Sequence, residues 1–489
     1  MTVAALLGLG ASASAAPIVS APPLPSLPAH SGKPFKATPV RSATRAPRNP
    51  FMAPDPKGNI HNDTWMSDTY PWPGPLGMDP ITSSASAPPG ICATIAFDSR
   101  GRIISVCPSI VAPPQARIID PDTLEVLASH DMPNAPPVDG TPNFQNFAAG
   151  GYFYLDGRDR IWVATKTNHL QVLQVTANPD GFQLERDFDL TRYVDPETER
   201  INSALPDFRG RVWFVTKQNG KVGVLNRKTG AVHVLRLGEQ IQNSFTVGRE
   251  GVYVATDRRL YRLGVGPKGR PFVVWKAKYG NTAVAKPGQV DAGTGTTPTI
   301  LAGGLIAITD NSDPMRVVVY RTAKKLRRGQ QRTVCRMPVF SRGAGATENS
   351  LIGTGRSLIV ENNYGYTDPF AVGGGQVVSQ AGFARVDIRP KNRGCRKVWV
   401  NRELRAPSVV PKPSTRTGLI YTYTRPPDPS GSQGYYWAAI DFRTGRTAWT
   451  VYAGSGLRFN NNYAGLGLGP DGTAYLGVIG GMVSLQDAK

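Results

Sequence analysis

Short apolar runs alternate with polar turns along this chain from about residue 90 to its end. In the stretch 201–236, four short segments rich in β-branched residues are separated by polar turns, and the stretch 242–276 repeats the same order. Runs of this length, bounded by turn residues, predict β-strands, because an amphipathic helix would repeat its apolar residues every three or four positions. Each unit is therefore predicted to contain four antiparallel strands.

The same unit recurs over most of the chain. Clear units follow one another between residues 201 and 452, and two looser ones precede them at Ile91–Asp131 and Asn146–Val194. The last unit, from Tyr463 to Leu485, supplies only three strands, so a segment following residue 59 has to supply the fourth. Repeated four-stranded units form β-propellers. We predict an all-β fold, an eight-bladed β-propeller of four-stranded blades closed by its N- and C-terminal segments.

The residues before the repeat differ in composition. Residues 1–16 form an uncharged apolar stretch that ends in small residues, which predicts a signal peptide cleaved after Ala16. Residues 17–58 hold 11 prolines and few aromatic residues, which predicts an extended Pro-rich linker without a core. The propeller is then expected to occupy residues 59–489.

One turn has a more specific pattern. In the segment Ala439–Trp449, Asp441 and Thr444 can hydrogen-bond the turn, Gly445 allows a positive φ, and Trp449 can pack between neighbouring blades. The segment resembles, position for position, the tryptophan-docking motif of propellers similar to the pyrroloquinoline-quinone dehydrogenases. The resemblance implies a quinoprotein-like propeller, a class that also includes non-enzymatic scaffolds such as outer-membrane assembly propellers.

The resemblance does not carry the family's cofactor with it. Those dehydrogenases place two adjacent cysteines beside the quinone, with a calcium ion and an Asp base, and no two cysteines are adjacent in this chain. Pyrroloquinoline quinone is therefore not expected. Calcium stays a candidate, because carboxylate and amide side chains suited to a hard cation are present.

The four cysteines predict two disulfide bonds. An even number of cysteines in an exported chain favours pairing, and none of them has the spacing of a zinc site. Cys92 and Cys107 fall on the first two strands of blade one, where antiparallel pairing places them opposite each other. Cys335 and Cys395 fall near the outer strands of blades five and six, so the second predicted pair joins adjacent blades.

The chain is strongly basic. It has 56 Lys and Arg against 35 Asp and Glu, a net charge of +21, which raises the local concentration of polyanions. No nucleic-acid-binding module is visible, so nucleic acid is not the expected partner. The composition fits a secreted or cell-envelope monomer, without a membrane span, whose partner is a polar small molecule, a saccharide or an envelope component.

Polar residues mark one face of the predicted ring. The innermost strand of a blade starts on the face where the second strand ends, so residues at these positions should gather there. The candidate ligand-binding residues are Thr297, Asp310, Asn311, Glu348, Asn349, Glu361, Asn362 and Asn363 on blades five and six, with Asn461 and His61. Asp310, Glu348 and Glu361 are the candidate metal ligands. The alternative for each residue is a turn-forming role.

A further segment, His61–Trp65, is predicted where the ring closes. Either His61 and Asp63 reach the channel mouth as a base or ligand pair, or the segment packs its aromatic residues under the last blade. No catalytic fingerprint appears in a usable context. The predicted function is binding of a polar ligand or partner at the rim of blades five and six. The alternatives are an extracellular enzyme, namely a metal-assisted lyase or hydrolase or a quinoprotein-like oxidoreductase, and a cell-envelope scaffold for protein interactions.

Overall fold

The strands of the repeat form eight antiparallel sheets arranged as the blades of a ring. The computed structural model describes residues 16–20, 27–41, 44–109, 111–138, 151–176, 181–367, 369–370, 379–427 and 433–488. The predicted signal peptide lies, apart from Ala16, outside the described residues. Within them, no helix is long and apolar enough to cross a membrane.

Two strands precede the first complete blade, namely β1 (His30–Gly32) and β2 (Pro80–Ser86). Blades one and two contain β3 (Ala96–Phe97), β4 (Ile103–Cys107), β5 (Gln115–Ile119), β6 (Val126–Asp131), β7 (Phe153–Leu155), β8 (Arg160–Ala164), β9 (His169–Val175) and β10 (Phe182–Asp189). Blades three and four contain β11 (Ile201–Pro206), β12 (Val212–Thr216), β13 (Lys221–Leu225), β14 (Val232–Arg236), β15 (Thr246–Gly248), β16 (Gly251–Ala255), β17 (Arg259–Val265) and β18 (Pro271–Lys278).

Blades five and six contain β19 (Thr299–Leu301), β20 (Leu305–Thr309), β21 (Arg316–Arg321), β22 (Thr333–Pro338), β23 (Ile352–Thr354), β24 (Ser357–Glu361), β25 (Phe383–Ile388) and β26 (Cys395–Asn401). Blades seven and eight contain β27 (Lys412–Ser414), β28 (Leu419–Thr424), β29 (Gly434–Asp441), β30 (Thr447–Ser455), β31 (Gly467–Leu468), β32 (Ala474–Val478) and β33 (Gly481–Asp487). Two short 3-10 helices lie at Pro390–Asn392 and Leu457–Phe459.

Burial follows the position of each strand within its blade. The second strands β12 and β20 are buried along their whole length, whereas the outermost strands β14 and β22 are half-buried or exposed. Second and third strands carry continuous β-branched and aromatic residues, because both of their faces pack against neighbouring sheets. The core therefore lies between the blades, and the predicted eight-bladed β-propeller is confirmed.

The ring closes through its two ends, as the incomplete last repeat predicts. Strand β2 pairs antiparallel with β33 over seven residues, from Pro80 opposite Asp487 to Ser86 opposite Gly481. The eighth blade thus takes three strands from the C-terminal segment and its outermost strand from the N-terminal one.

The Pro-rich segment before the ring is extended, but it is not free of the propeller as a linker would be. Strand β1 pairs with β30 and adds a fifth strand to blade seven. Further along, Asn49 Nδ2 donates to the carbonyl oxygen of Pro206 at 2.9 Å, and Met52 is buried. Proline rings remove backbone donors without preventing the remaining peptide groups from pairing with exposed edges. The predicted extended linker therefore also contributes a strand and hydrogen bonds to the propeller.

The next segment, Lys57–Tyr70, crosses the ring axis, and we call it the plug segment. Its backbone pairs with one inner strand after another: Leu155 N donates to Gly58 O and Ile300 N donates to Trp65 O. At its end, Tyr70 N donates to Pro413 O in blade seven. The plug segment therefore spans blades on opposite sides of the ring. Trp65 packs against the core of blades four and five, whereas Tyr70 and the following Trp72 pack against the last blade, as one of the two predicted alternatives has it.

Both predicted disulfide pairs are present. Cys92 bonds Cys107 within blade one, and Cys335 bonds Cys395 between the outermost strands of blades five and six. The pairing follows from the propeller geometry, because hairpin partners and adjacent outer edges are the sites where two cysteines come within bonding reach.

The turn of the docking motif has the expected geometry. Asp441 accepts hydrogen bonds from Arg443 N at 2.9 Å and from Thr444 Oγ1 at 2.7 Å, and Gly445 has a φ of +74°. A Cβ at Gly445 would lie 2.5 Å from the ring of Trp399, which reaches over from blade six. A side chain at this position would therefore displace the tryptophan that joins the two blades.

Candidate functional site

The innermost strands all begin on one face of the propeller, the upper face, and a cavity lies there around the ring axis. Its volume is about 70 Å³, enough for one end of a polar ligand. The loops before β15 and β23, the end of β12 and the plug segment contribute to its wall. The polar lining residues include His61, Tyr152, Arg200, Asn202, Lys217, Asn243 and Glu348. We call this space the upper cavity.

His61 is held in a fixed orientation by the plug segment. Its Nδ1 lies 3.2 and 3.1 Å from the two carboxylate oxygens of Asp68, and only 3% of the residue is exposed. An ionised carboxylate can only accept, so Nδ1 carries a proton, and in the neutral ring Nε2 is then an acceptor. Nε2 is buried without a hydrogen-bond partner.

Asp68 is itself paired with a buried lysine. Lys412, from the first strand of blade seven, donates from Nζ to Asp68 and to the carbonyl oxygen of Ile60. Burial raises the pKa of Asp68, but the positive charge of Lys412 and the contact with His61 outweigh it and hold that pKa below its usual value. The predicted partner Asp63 has another role, because its carboxylate accepts hydrogen bonds from Trp65 N and from Ser67.

Glu348 is the second buried titratable group of the upper cavity. Its Oε2 accepts from Val290 N at 3.3 Å, and its Oε1 has no partner. Burial raises the pKa of Glu348 to about 8, and the nearby Asp291 adds to this, while Lys217 opposes it. At neutral pH the carboxyl group therefore holds its proton and can donate a hydrogen bond.

Stability should fall as the pH rises, because of two buried glutamates. Burial raises the pKa of Glu361 to about 8, as it does for Glu348, whereas an unfolded glutamate loses its proton near pH 4.5. Between these values the folded state holds protons that the unfolded state has lost, so each group lowers the unfolding free energy by up to about 1.4 kcal/mol per pH unit. The variants Glu348→Gln and Glu361→Gln are expected to lose less stability between pH 5 and pH 8 in urea unfolding.

The exposed Glu197→Gln serves as the control for this measurement, since it removes the same charge from the surface. It is expected to keep the wild-type pH dependence. If the wild type and both buried variants lose the same stability between pH 5 and pH 8, the raised pKa values of Glu348 and Glu361 are contradicted.

Glu361 does not face the upper cavity. Its Oε1 accepts a hydrogen bond from Asn363 Nδ2 at 2.8 Å and another from Asn349 Nδ2. Asn363 Oδ1 in turn accepts from Glu348 N at 2.9 Å, so these residues link β24 to the loop before β23. Of the predicted rim residues, only Glu348, Asn349 and His61 line the upper cavity.

The remaining predicted site residues serve the turns. Asp310 accepts from Ser312 and Arg316, and Asn362 Oδ1 accepts from Ala346 N. The same alternative role holds for the amides of Asn311 and Asn461, which donate to the backbone oxygens of Val284 and Ala464. Thr297 is fully buried beside the upper cavity's wall residues but does not line it.

The predicted metal ligands are not brought together. Among the residues that the structure describes, no group of three His, Cys, Asp or Glu side chains could hold a metal ion. Both carboxylate oxygens of Asp310 accept hydrogen bonds from Ser312 or Arg316, and Glu361 Oε1 accepts from the amides of Asn349 and Asn363. Asp310, Glu348 and Glu361 therefore do not form one cluster within the described part of the chain, and calcium binding stays a prediction.

The quinone of the resembling family does not fit either. The plug segment occupies the ring axis, and the upper cavity of about 70 Å³ is smaller than typical cofactor sites of about 300–1,000 Å³. All four cysteines are engaged in the two disulfides, so none is available beside the axis. We derive no chemistry through this cofactor.

Several lining residues are not among the predicted site residues. Three of them lie where an innermost strand starts or a second strand ends, the same positions by which Glu348 was predicted: Asn202, Asn243 and Lys217. Their position in the repeat is the sequence feature that could have identified them. Tyr152 follows no such rule. Its ring lies 6.1 Å from that of His61, and its hydroxyl donates to Asn243 Oδ1 at 3.1 Å.

The fold and the cavity together define a β-propeller with a polar site at its axis. No family of known proteins matches this sequence. An uncharacterized protein of Archaeoglobus fulgidus is 24% identical over 396 residues, which cover 74% of this chain and 75% of that protein.

Solved structures with a similar arrangement are other propellers. The quinohemoprotein alcohol dehydrogenase ADHIIG from Pseudomonas putida HK5 has a TM-score of 0.52 at 10% identity, covering 89% of this chain and 81% of that one. Sqt1 of Chaetomium thermophilum, solved with the N-terminus of ribosomal protein L10, has a TM-score of 0.47 at 13% identity and covers 82% and 97%. At these identities the likeness concerns the fold alone.

Proposed function

We propose that this protein is an exported β-propeller that binds a small polar ligand in the upper cavity. The observation that carries the proposal is a pair of buried polar atoms on residues that line this cavity, His61 Nε2 and Glu348 Oε1, neither of which has a hydrogen-bond partner in the described part of the chain. A buried polar atom without a partner costs free energy, so a ligand that satisfies both is favoured. The two disulfides support export, which the N-terminal sequence of secreted protein would check.

The two side chains require opposite hydrogen-bonding partners, a donor for one and an acceptor for the other. His61 Nε2 accepts, because Nδ1 donates to Asp68, and protonated Glu348 donates. A hydroxyl group does both, and Lys217 on the same wall adds a positive charge. The ligand class that this arrangement fits best is a saccharide or a hydroxy acid.

The proposal is tested by binding. Neutral monosaccharides, uronic acids and short hydroxy acids are screened by thermal shift, and those that raise the melting temperature are titrated by calorimetry. His61→Gln and Glu348→Gln should each weaken binding about tenfold or more, because each leaves one ligand hydrogen bond unmade at a buried site.

Matched controls come from the surface. His169→Gln removes a histidine paired with Asp187 on an outer strand, and Glu197→Gln removes an exposed carboxylate. Both controls are expected to bind as the wild type does. If no compound of the three classes shifts the melting temperature, or if the cavity variants bind as tightly as the controls, the upper cavity is not the ligand site.

The same pair of side chains supports a second candidate, general acid–base catalysis. A neutral His61 held by Asp68 can act as a base, and Glu348, whose pKa burial raises to about 8, holds a proton that it can donate as an acid. The observation that would distinguish it is turnover. A bound compound that the wild type converts and the His61→Gln variant does not would establish an enzyme, and binding without conversion would establish a binding protein.

A further inference from the structure

A second opening lies on the opposite face of the ring, separated from the upper cavity by the plug segment. It forms where β19, β23 and β27 end, and the N-terminal segment passes over it. Its volume is about 870 Å³, within the usual range of about 300–1,000 Å³ for small-molecule sites. We call it the lower cleft.

Three arginines of the N-terminal segment line the lower cleft: Arg41, Arg45 and Arg48. All three are exposed, and within the described residues none of them forms an ion pair. Exposed guanidinium groups that lie near one another without ion-pair partners repel one another. Each presents a planar set of N–H donors whose geometry matches the oxygens of phosphate and sulfate groups.

Two acidic residues, Asp55 and Asp63, also line the lower cleft, and they offset only part of the charge of its three arginines. Asp63 accepts three hydrogen bonds from Trp65 and Ser67, and burial raises its pKa to about 6. Burial and the neighbouring Asp63 raise the pKa of Asp55 to about 7, although Arg48 opposes the shift. Near neutral pH the Asp55 carboxyl is therefore only partly ionised.

Neutral hydrogen-bonding groups complete the wall. The hydroxyls of Thr69 and Thr354 lie 3.0 Å apart at the end of β23, and Thr415 lines the neighbouring part of the cleft. Basic side chains on one wall and hydroxyl groups on the other suit a ligand that carries both anionic and hydroxyl groups.

We propose that the lower cleft binds a sugar-sized ligand carrying at least two phosphate or sulfate groups. The inference rests on two features that occur together. Three exposed arginines have no ion-pair partners within the described residues, and they line a polar cleft of ligand size. It is independent of the upper cavity, because the plug segment lies between the two and different side chains line them.

The test uses the full chain and two probes, inositol hexakisphosphate and sucrose octasulfate, titrated by calorimetry at low salt. The variant R41Q/R45Q/R48Q is expected to lose affinity at least tenfold for a probe that binds the wild type. The matched control K324Q/R327Q/R328Q removes the same charge from an exposed basic stretch of blade five and should bind within twofold of the wild type.

Binding of the phosphate probe alone, the sulfate probe alone, or both supports the proposal and identifies the anionic group that the cleft accepts. The proposal is overturned if neither probe binds, or if both triple variants weaken binding equally, since net charge would then account for the attraction. Should the cleft variant lose its melting transition, the single variant Arg45→Gln replaces it, with an expected loss of about threefold. Unchanged affinity in that variant also overturns the proposal.

Discussion

Replacing Lys412 with methionine is expected to lower the unfolding free energy by about 3–5 kcal/mol, the usual cost of removing one partner of a buried ion pair. Lys412 is 1% exposed and Asp68 is fully buried, so the substitution leaves a carboxylate without its main counter-charge in the interior. Burial lowers the pKa of Lys412, and the attraction of Asp68, with a smaller contribution from Asp63, offsets only part of that shift. Urea unfolding at neutral pH measures the effect.

The double variant Lys412→Met with Asp68→Asn separates charge from packing. It removes both charges, so much of the lost stability is expected to return, whereas its His61 is no longer held by a carboxylate. Lys324→Met, at an exposed position, is the control and should leave stability unchanged within about 0.5 kcal/mol. A Lys412→Met variant as stable as this control would show that the pair contributes nothing to the fold.

A chain that begins at residue 87 is expected to lose its cooperative unfolding transition and to aggregate. It lacks β2, which covers the edge of β33 over seven residues, and it also lacks the plug segment that joins the inner strands across the axis. An uncovered strand edge presents unpaired N–H and C=O groups to other chains. Thermal unfolding and light scattering measure the two effects.

The matched truncation begins at residue 30 and keeps β1, the plug segment and β2. It removes the packing of Ile18 and a few hydrogen bonds, such as those of Ala29 and Ser20 with β30, but leaves every strand paired, so it should unfold cooperatively and stay monomeric. If the chain that begins at residue 87 behaves in the same way, the N-terminal segment neither closes the ring nor holds its axis.

The repeat itself determined the fold, because strand pairing inside a blade is local. Apolar runs separated by short turns can only pair with their sequence neighbours, so blade number, strand order and ring closure follow from the pattern. The Cys92–Cys107 bond follows for the same reason, since both residues lie on one hairpin. The docking turn around Gly445 is equally local, because its hydrogen bonds lie within a few residues.

The candidate site was only partly predictable, because position on a face does not give side-chain direction. Glu348 and Glu361 both occupy the predicted upper face, yet one turns toward the axis and the other toward the amides of Asn349 and Asn363. The carboxylates were predicted to share a cation. The structure instead gives each carboxylate its own donors, Val290 N for Glu348 and two side-chain amides for Glu361.

Only the tertiary structure shows which segment occupies the ring axis. The sequence determined that residues 59–86 follow a Pro-rich segment and supply the closing strand, but nothing local records that Lys57–Tyr70 crosses the channel first. The pairing of Asp68 with Lys412 joins residues 344 positions apart, and such contacts depend on where the closed ring places its inner strands. Short-range sequence patterns determine the blades because hairpins form between neighbouring strands. The axis is surrounded by all the blades, so the contacts made there depend on the closed ring.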